Sequence, residues 1–254
     1  MMTELDIRKA ICEAGKRLYL KNLVAATDGN ISVRIGPDRY LCTPSGVSKY
    51  DMAPHHILIA DGRGKRISGE GKVTSEFFTH LAAYEERADV RAVVHAHPPK
   101  AVGFSLAGVS MAECVLPEVV YTIGGIPTST YATPATKEGG ESIRELIRKC
   151  DALVMDRHGA ITVGVDVYDA LFKMEKIEHA ADTLLVAHLL GKIRTLDSEQ
   201  IIKLQGIRKS YGVSGYAYPC HEKSSTQSEK NKDGNESSDL DNIIEDTLRI
   251  LGGG

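Results

Sequence analysis

Two histidines one residue apart, His95 and His97, close the run Arg91-Ala92-Val93-Val94-His95-Ala96-His97-Pro98-Pro99. The β-branched Val93 and Val94 read as a buried strand. Side chains alternate along a strand, so both imidazoles face one side, about 6.6 Å apart along the backbone. Two imidazoles aimed at one point can share a metal ion, each bonding it at about 2.0–2.1 Å. The alternative is a pair of ordinary histidines on a half-exposed strand. Other groups must decide between the two readings, and several are available.

His158 precedes Gly159 at the end of the apolar run Asp151-Ala152-Leu153-Val154-Met155-Asp156, another strand end. Three histidines at two strand ends make a three-ligand site. Thr74 or Ser75 is expected to cap a helix running to about Arg87, with Glu76 in its first turn. A carboxylate in a first helical turn is favoured by the dipole, which is reason enough for its presence. Its functional reading is a general base, or a displaceable metal ligand, beside the histidines. Thr74 and Ser75 at the same helix start could donate to a phosphate. The turns at Gly29-Asn30 and Ser45-Gly46 offer backbone N–H groups, a side-chain amide and a hydroxyl, which also suit an anion. Each is equally readable as a plain surface turn. Glu118 and Tyr121 stand in an otherwise apolar stretch, as rim residues or acid/base candidates.

These groups need a frame. Apolar spacing predicts helices at 5–20, 137–148, 167–190 and 198–210. Strands are expected at 31–35, 40–43, 57–59, 92–97, 128–131, 151–156 and 161–163, with 31–35 and 40–43 forming a hairpin. Pro98 and Pro99 suit a first helical turn. His55, His56, His179 and His188 read as surface or packing residues, and His80 as a support one turn after Glu76.

Composition narrows the classes. The chain has 254 residues, 26% charged and 42% apolar, an ordinary globular balance. A net charge of −3 gives no basic stripe for nucleic acid. No run of about 18 apolar residues suggests a membrane span. The first residues lack a basic segment followed by an apolar one, so no secretory leader is expected. The five cysteines, 12, 42, 114, 150 and 220, are scattered. They are expected to be reduced thiols of a cytoplasmic protein. A folded domain over 1–212 is expected, then a polar tail over 213–254, disordered at 224–238, with a short terminal helix at 240–251 that is loose or docks on a partner subunit.

Taken together, Gly29-Asn30-Ile31-Ser32-Val33-Arg34, Thr43-Pro44-Ser45-Gly46, Ser75-Glu76 with His80, His95-Ala96-His97 and His158-Gly159 resemble the class II aldolase/adducin family, over roughly residues 5–212. Within it the pattern is similar to the L-fuculose-1-phosphate aldolase-like enzymes. The resemblance implies a three-layer α/β/α sandwich with a mostly antiparallel central sheet. It implies a divalent metal, usually Zn2+ with Mn2+ or Co2+ as options, held by His95, His97, His158 and Glu76, the last also serving as base. It implies that Gly29, Asn30, Ser45, Gly46, Thr74 and Ser75 hold a sugar phosphate, and that the enzyme is a homotetramer with active sites between subunits. The expected reaction is cleavage of a ketose 1-phosphate to dihydroxyacetone phosphate and an aldehyde. Family aldolases use tyrosines on the aldehyde side. Glu118 stands at the first such position, with Tyr121 nearby and Tyr211, Tyr216 or Tyr218 for the second. Glu118 is a departure that resembles the methylthioribulose-1-phosphate dehydratases, although those generally lack Ser75-Glu76. Sugar-phosphate 4-epimerases tend to carry aspartate where Glu76 stands. An adducin-like binding scaffold would be expected to have lost the histidines.

Overall fold

The computed structural model describes residues 2–220. The expectations for residues 224–238 and 240–251 lie outside them. The first helix, α1 (Glu4–Leu20), begins at a capping box in which Thr3 and Asp6 satisfy each other's backbone N–H groups. Its apolar stripe, Ala10, Ile11, Ala14 and Leu18, recurs every three or four residues and is buried.

Seven strands follow, β1 (Asn30–Gly36), β2 (Arg39–Cys42), β3 (Leu58–Ala60), β4 (Arg66–Ser68), β5 (Ala92–Ala96), β6 (Ala152–Met155) and β7 (Gly159–Gly164). They form one sheet in the order β4-β3-β2-β1-β5-β7-β6. All six strand pairs are antiparallel, which agrees with the expected sheet. Residues 128–131, expected as a strand, make only a single bridge, Thr128 to Val154. The preceding Pro127 lacks the N–H that a longer ladder needs. β4, too polar to be noticed in the sequence, is exposed at the sheet edge.

Two layers of helix cover the sheet. The remaining helices are α2 (Phe77–Glu86), α3 (Pro99–Leu106), α4 (Pro117–Thr122), α5 (Lys137–Ile147), α6 (Val167–Leu190) and α7 (Ser198–Ser210). Ile31, Val33, Ala92, Val94 and Ala96 face α1 and α6. Val93, Leu153, Ile161 and Val163 face α2 and α5. That alternation is the strand period of two. Gly139 and Gly140 let α5 approach α2 closely, since a Cβ on Gly140 would stand 3.1 Å from the Phe78 carbonyl oxygen.

Residues 2–220 form one compact unit. Residues 213–220 are fastened within it by several bonds. Tyr216 N–H donates to Asp151 Oδ1 at 3.0 Å. Gly125 N–H donates to Tyr218 O and Tyr218 N–H to Ile123 O. Cys114 and Cys220 form a disulfide, 106 residues apart. The expectation of five reduced thiols therefore fails for this pair, while Cys12, Cys42 and Cys150 are free. Scattered spacing hid the pairing because partners brought together by tertiary structure leave no local pattern.

Asp151 is the ionic centre of this region. It is 2% exposed. It accepts from Arg87 Nη1 at 2.5 Å and from Lys173 Nζ at 2.8 Å, and both cations are themselves buried. Removing the shared carboxylate leaves Arg87 with Asp89 and Lys173 with Asp169 as their remaining partners, so each buried cation is only half compensated, a loss of about 3 kcal/mol. Asp151→Ala is therefore expected to lower the melting temperature by on the order of 10 °C, measured by calorimetry.

Candidate active site

His95 alternates with Val94 and Ala96 on β5, so its ring projects to the α2 side of the sheet. Glu76 is the residue that caps α2 on that side. The sequence reading put it inside the first turn, with Thr74 or Ser75 as cap. Instead the helix begins at Phe77, and Thr74 Oγ1 accepts from Glu76 N–H at 3.4 Å. His97 lies just past the end of β5, and His158 in the tight turn from β6 to β7. Topology makes β5 and β7 neighbours, and this carries His158 to the two earlier histidines.

The four side chains converge. His95 Nε2 is 3.1 Å from Glu76 Oε2, and His158 Nε2 is 3.0 Å from Glu76 Oε1. The Nε2 atoms of His95 and His97 are 3.1 Å apart. One ligand atom from each residue falls within 4.8 Å of all the others. His95 Nδ1 lies 2.9 Å from the Ala160 carbonyl oxygen. A carbonyl only accepts, so Nδ1 carries a proton and the Nε2 lone pair of the neutral ring points into the cluster. Asp28 Oδ2, 3.6 Å from His97 Nδ1, favours the same tautomer there.

Burial opposes ionisation of Glu76, but the charges and hydrogen bonds of His95 and His158 outweigh it and hold the carboxyl well below its ordinary range. For His95, burial works against the proton, yet Glu76 outweighs burial and raises the pKa. Burial and the two neighbouring imidazoles push His97 down to about 4. Lone pairs converging at about 3 Å repel unless a proton or a cation lies among them. Tetrahedral coordination with bonds of about 2.0–2.1 Å requires ligand atoms about 3.3–3.4 Å apart. The observed 3.0–3.1 Å spacings and the neutral-imidazole-plus-carboxylate donor set fit a divalent ion.

Gly159 makes the cluster possible. A Cβ there would sit 2.5 Å from the Ala96 carbonyl oxygen and 2.8 Å from ring carbons of both His95 and His97. Gly159→Ala is expected to push those rings apart and weaken metal binding by about 10–100-fold in chelator competition. His80 supports the site from behind. Fully buried, it sits with Nδ1 2.7 Å from Ser32 Oγ, which is 2.8 Å from Tyr84 OH. That chain ties α2 to β1, and burial pushes His80 down to about 3, so it stays neutral.

The polar turns gather at the same edge. Asn30 Nδ2 donates to Glu76 Oε2 at 2.9 Å. Gly29, at φ +70°, makes the turn into β1, where a Cβ would strike Val24 and the His95 carbonyl. Ser45 N–H donates to Lys72 O at 2.8 Å and Pro44 bridges Val73. The Ser45-Gly46 turn is thereby tied to the segment leading into Thr74 and Ser75. Glu118 and Tyr121 are elsewhere, on α4, where Arg208 donates to the Tyr121 and Thr122 carbonyls. Glu118 is exposed, and among the described residues neither it nor Tyr121 has a polar contact with the His–Glu cluster. Asp28 and the Ala160 carbonyl were missed in the sequence. Asp28 sits in the Gly29-Asn30 turn, but nothing local links it to His97.

An antiparallel sheet of this order, with three histidines at its strand ends and a carboxylate at the start of α2 gathered together, defines an α/β protein with a group that could hold a metal ion. Comparison with known proteins agrees. The model of the Class II Aldolase and Adducin N-terminal domain matches residues 9–185, and the chain belongs to that family. It is 33% identical over 194 residues to L-fuculose phosphate aldolase of Escherichia coli (strain K12), covering 74% of this chain and 86% of that one. It is 30% identical over 185 residues to 3-oxo-tetronate 4-phosphate decarboxylase of Cupriavidus necator, covering 71% and 84%. A solved L-fuculose 1-phosphate aldolase superposes with a TM-score of 0.74 at 24% identity, covering 80% of this chain and 96% of that one, a likeness of fold.

Proposed function

We propose that the protein is a divalent-metal-dependent lyase that cleaves a ketose 1-phosphate to dihydroxyacetone phosphate and an aldehyde. The observation that carries this reading is Glu76, an ionised carboxylate touching two imidazoles and oriented by Asn30. His95, His97, His158 and Glu76 would hold the ion, Zn2+ by donor type, with Mn2+ and Co2+ also accepted by imidazole. When bound, the ion supplies Lewis acidity toward a carbonyl oxygen.

The chain's own groups supply the rest. In the condensing direction the ionised Glu76 removes a proton from the carbon of the dihydroxyacetone phosphate half; in cleavage it first takes up a proton from solvent and delivers it to that carbon after the C–C bond breaks. Gly29, Asn30, Ser45, Gly46, Thr74 and Ser75 hold the phosphate through N–H and hydroxyl groups. The hydroxyl proton of the aldehyde half needs a second acceptor. Glu118 and Tyr121 fill that role from a neighbouring subunit, since they do not meet their own chain's cluster. The assembly is a homotetramer acting in the cytoplasm. Exposed Leu185, Val186, Leu189 and Leu190 at the end of α6 support an association surface.

The test incubates purified protein with fuculose-, ribulose-, deoxyribulose- and methylthioribulose-1-phosphates and follows dihydroxyacetone phosphate with a coupled enzyme. The decarboxylase relative favours one second reading, so 3-oxo-tetronate 4-phosphate joins the panel with release of carbon dioxide as its readout. Dihydroxyacetone phosphate from any ketose 1-phosphate establishes the aldolase. Carbon dioxide alone establishes the decarboxylase.

A further inference from the structure

One fully buried cation bridges two of the polar turns and stands outside the His–Glu cluster. Lys49, in the loop after β2, is 1% exposed. α1 closes over it, since a Cβ on Gly15 would stand 3.1 Å from the Lys49 carbonyl oxygen. Its Nζ donates to Thr27 O at 3.0 Å and to Val47 O at 2.8 Å. Thr27 lies in the turn that leads to Gly29, and Val47 directly follows Ser45-Gly46. One ammonium therefore joins two turns assigned to the phosphate. Both of its partners are neutral carbonyls, and among the described residues no carboxylate forms an ion pair with it. Asp28 is the charged group that faces Lys49, but it is half-exposed and turned to His97 Nδ1. Burial outweighs the pull of Asp28 and brings the Lys49 pKa down to about 8.

A staple between two turns needs donors only, and an uncharged amide supplies those. A buried charge costs far more than a buried donor unless an anion compensates it. No carboxylate of the described chain does so at close range, and a ligand can. The turns themselves offer only neutral N–H and hydroxyl groups, whereas a phosphomonoester carries about −1.5 to −2 charges near neutral pH. We propose that Lys49 is a phosphate-positioning residue: its ammonium clamps the 27–29 and 45–47 turns at one spacing and supplies the counter-charge of a dianionic phosphate held by them. It acts through the two turns, by its field and by their spacing, with the hydrogen bonds to the phosphate left to the turns. This rests on the sugar-phosphate reading above. The ligand class narrows to terminal phosphomonoesters, because an uncharged ketone gains nothing from the ammonium and a phosphodiester gains less.

The experiment uses the metal-loaded full chain. Calorimetry measures binding of dihydroxyacetone phosphate and, at millimolar concentration, of dihydroxyacetone, which lacks the phosphate. Wild type is compared with Lys49→Met, which keeps most of the apolar stem and removes the charge and the donors. It is also compared with Lys49→Gln, which keeps N–H donors without the charge. Circular dichroism and metal content check each variant. KM and kcat are read on the ketose 1-phosphate that wild type cleaves fastest.

Both variants are expected to bind dihydroxyacetone phosphate about tenfold or more weakly than wild type, while binding of dihydroxyacetone changes less than about twofold. KM should rise by a similar factor and kcat change less than about threefold, the pattern of lost uniform binding. A merely structural role would lower both affinities and kcat together. If Lys49→Met does not fold, Lys49→Gln decides alone. Wild-type affinity for dihydroxyacetone phosphate in Lys49→Gln would reduce Lys49 to a staple and overturn the inference. A parallel loss of both ligands would overturn it too. Wild type that binds dihydroxyacetone phosphate no better than dihydroxyacetone would instead overturn the sugar-phosphate reading on which it stands.

Discussion

Glu76→Gln is expected to fold, bind metal and lose about 10²–10⁴-fold in turnover. The substitution keeps the length and shape of the side chain and removes its negative charge and its ability to carry a proton. Three imidazole ligands remain, enough to retain an ion. The Asn30 contact also survives, with the new amide oxygen accepting from Nδ2. Rates would be measured by coupled detection of dihydroxyacetone phosphate, with metal content and circular dichroism as controls. The informative pattern is a fall in kcat with little change in KM, since the lost interaction belongs to the transition state. Near-wild-type cleavage by this variant would show that Glu76 is not the base, and attention would pass to Glu118 and Tyr121.

Chelation is expected to have the other large effect. Dialysis against a strong chelator should reduce activity by on the order of 10³-fold or more, because Lewis-acid stabilisation is worth several kcal/mol. Adding back one equivalent of ion per chain should restore it. The uptake carries a defined pH dependence. His95 must shed a proton to offer Nε2, and although its burial works against that proton, Glu76 raises its pKa. Metal therefore competes with a proton at His95, and apparent affinity should rise by about tenfold per pH unit up to that pKa, then level off. Glu76 is already ionised and His97, pushed down to about 4, is already neutral, so neither adds to the slope near neutral pH. Affinity that falls as pH rises through this range would contradict the donor set. Full activity after complete removal of metal would remove the basis of the proposed chemistry.

Much of the site was legible in the chain because it is made of short local signals. His95-Ala96-His97 places two imidazoles on one face by the strand period alone, and His158-Gly159 marks a strand end. The helices 167–190 and 198–210 appear where apolar spacing puts them. The start of α2 was misplaced because Thr74 and Ser75 are better capping types than Glu76. Tertiary demands override that preference, since the carboxylate is drawn into the cluster by His95 and His158.

The sequence by itself determined the types of the ligands, the alternation that aims His95 toward α2, and the family pattern that joins them. Only the tertiary structure decided that β5 and β7 are neighbours, which brings His158 onto Glu76. It alone showed that Lys49 joins the turns at Thr27 and Val47, that Cys114 finds Cys220, and that Glu118 stands away from its own chain's cluster. The reason is one of range. Side-chain periodicity is fixed by backbone geometry within a few residues, whereas strand order and pairing across some 100 positions depend on how the whole sheet buries its two faces.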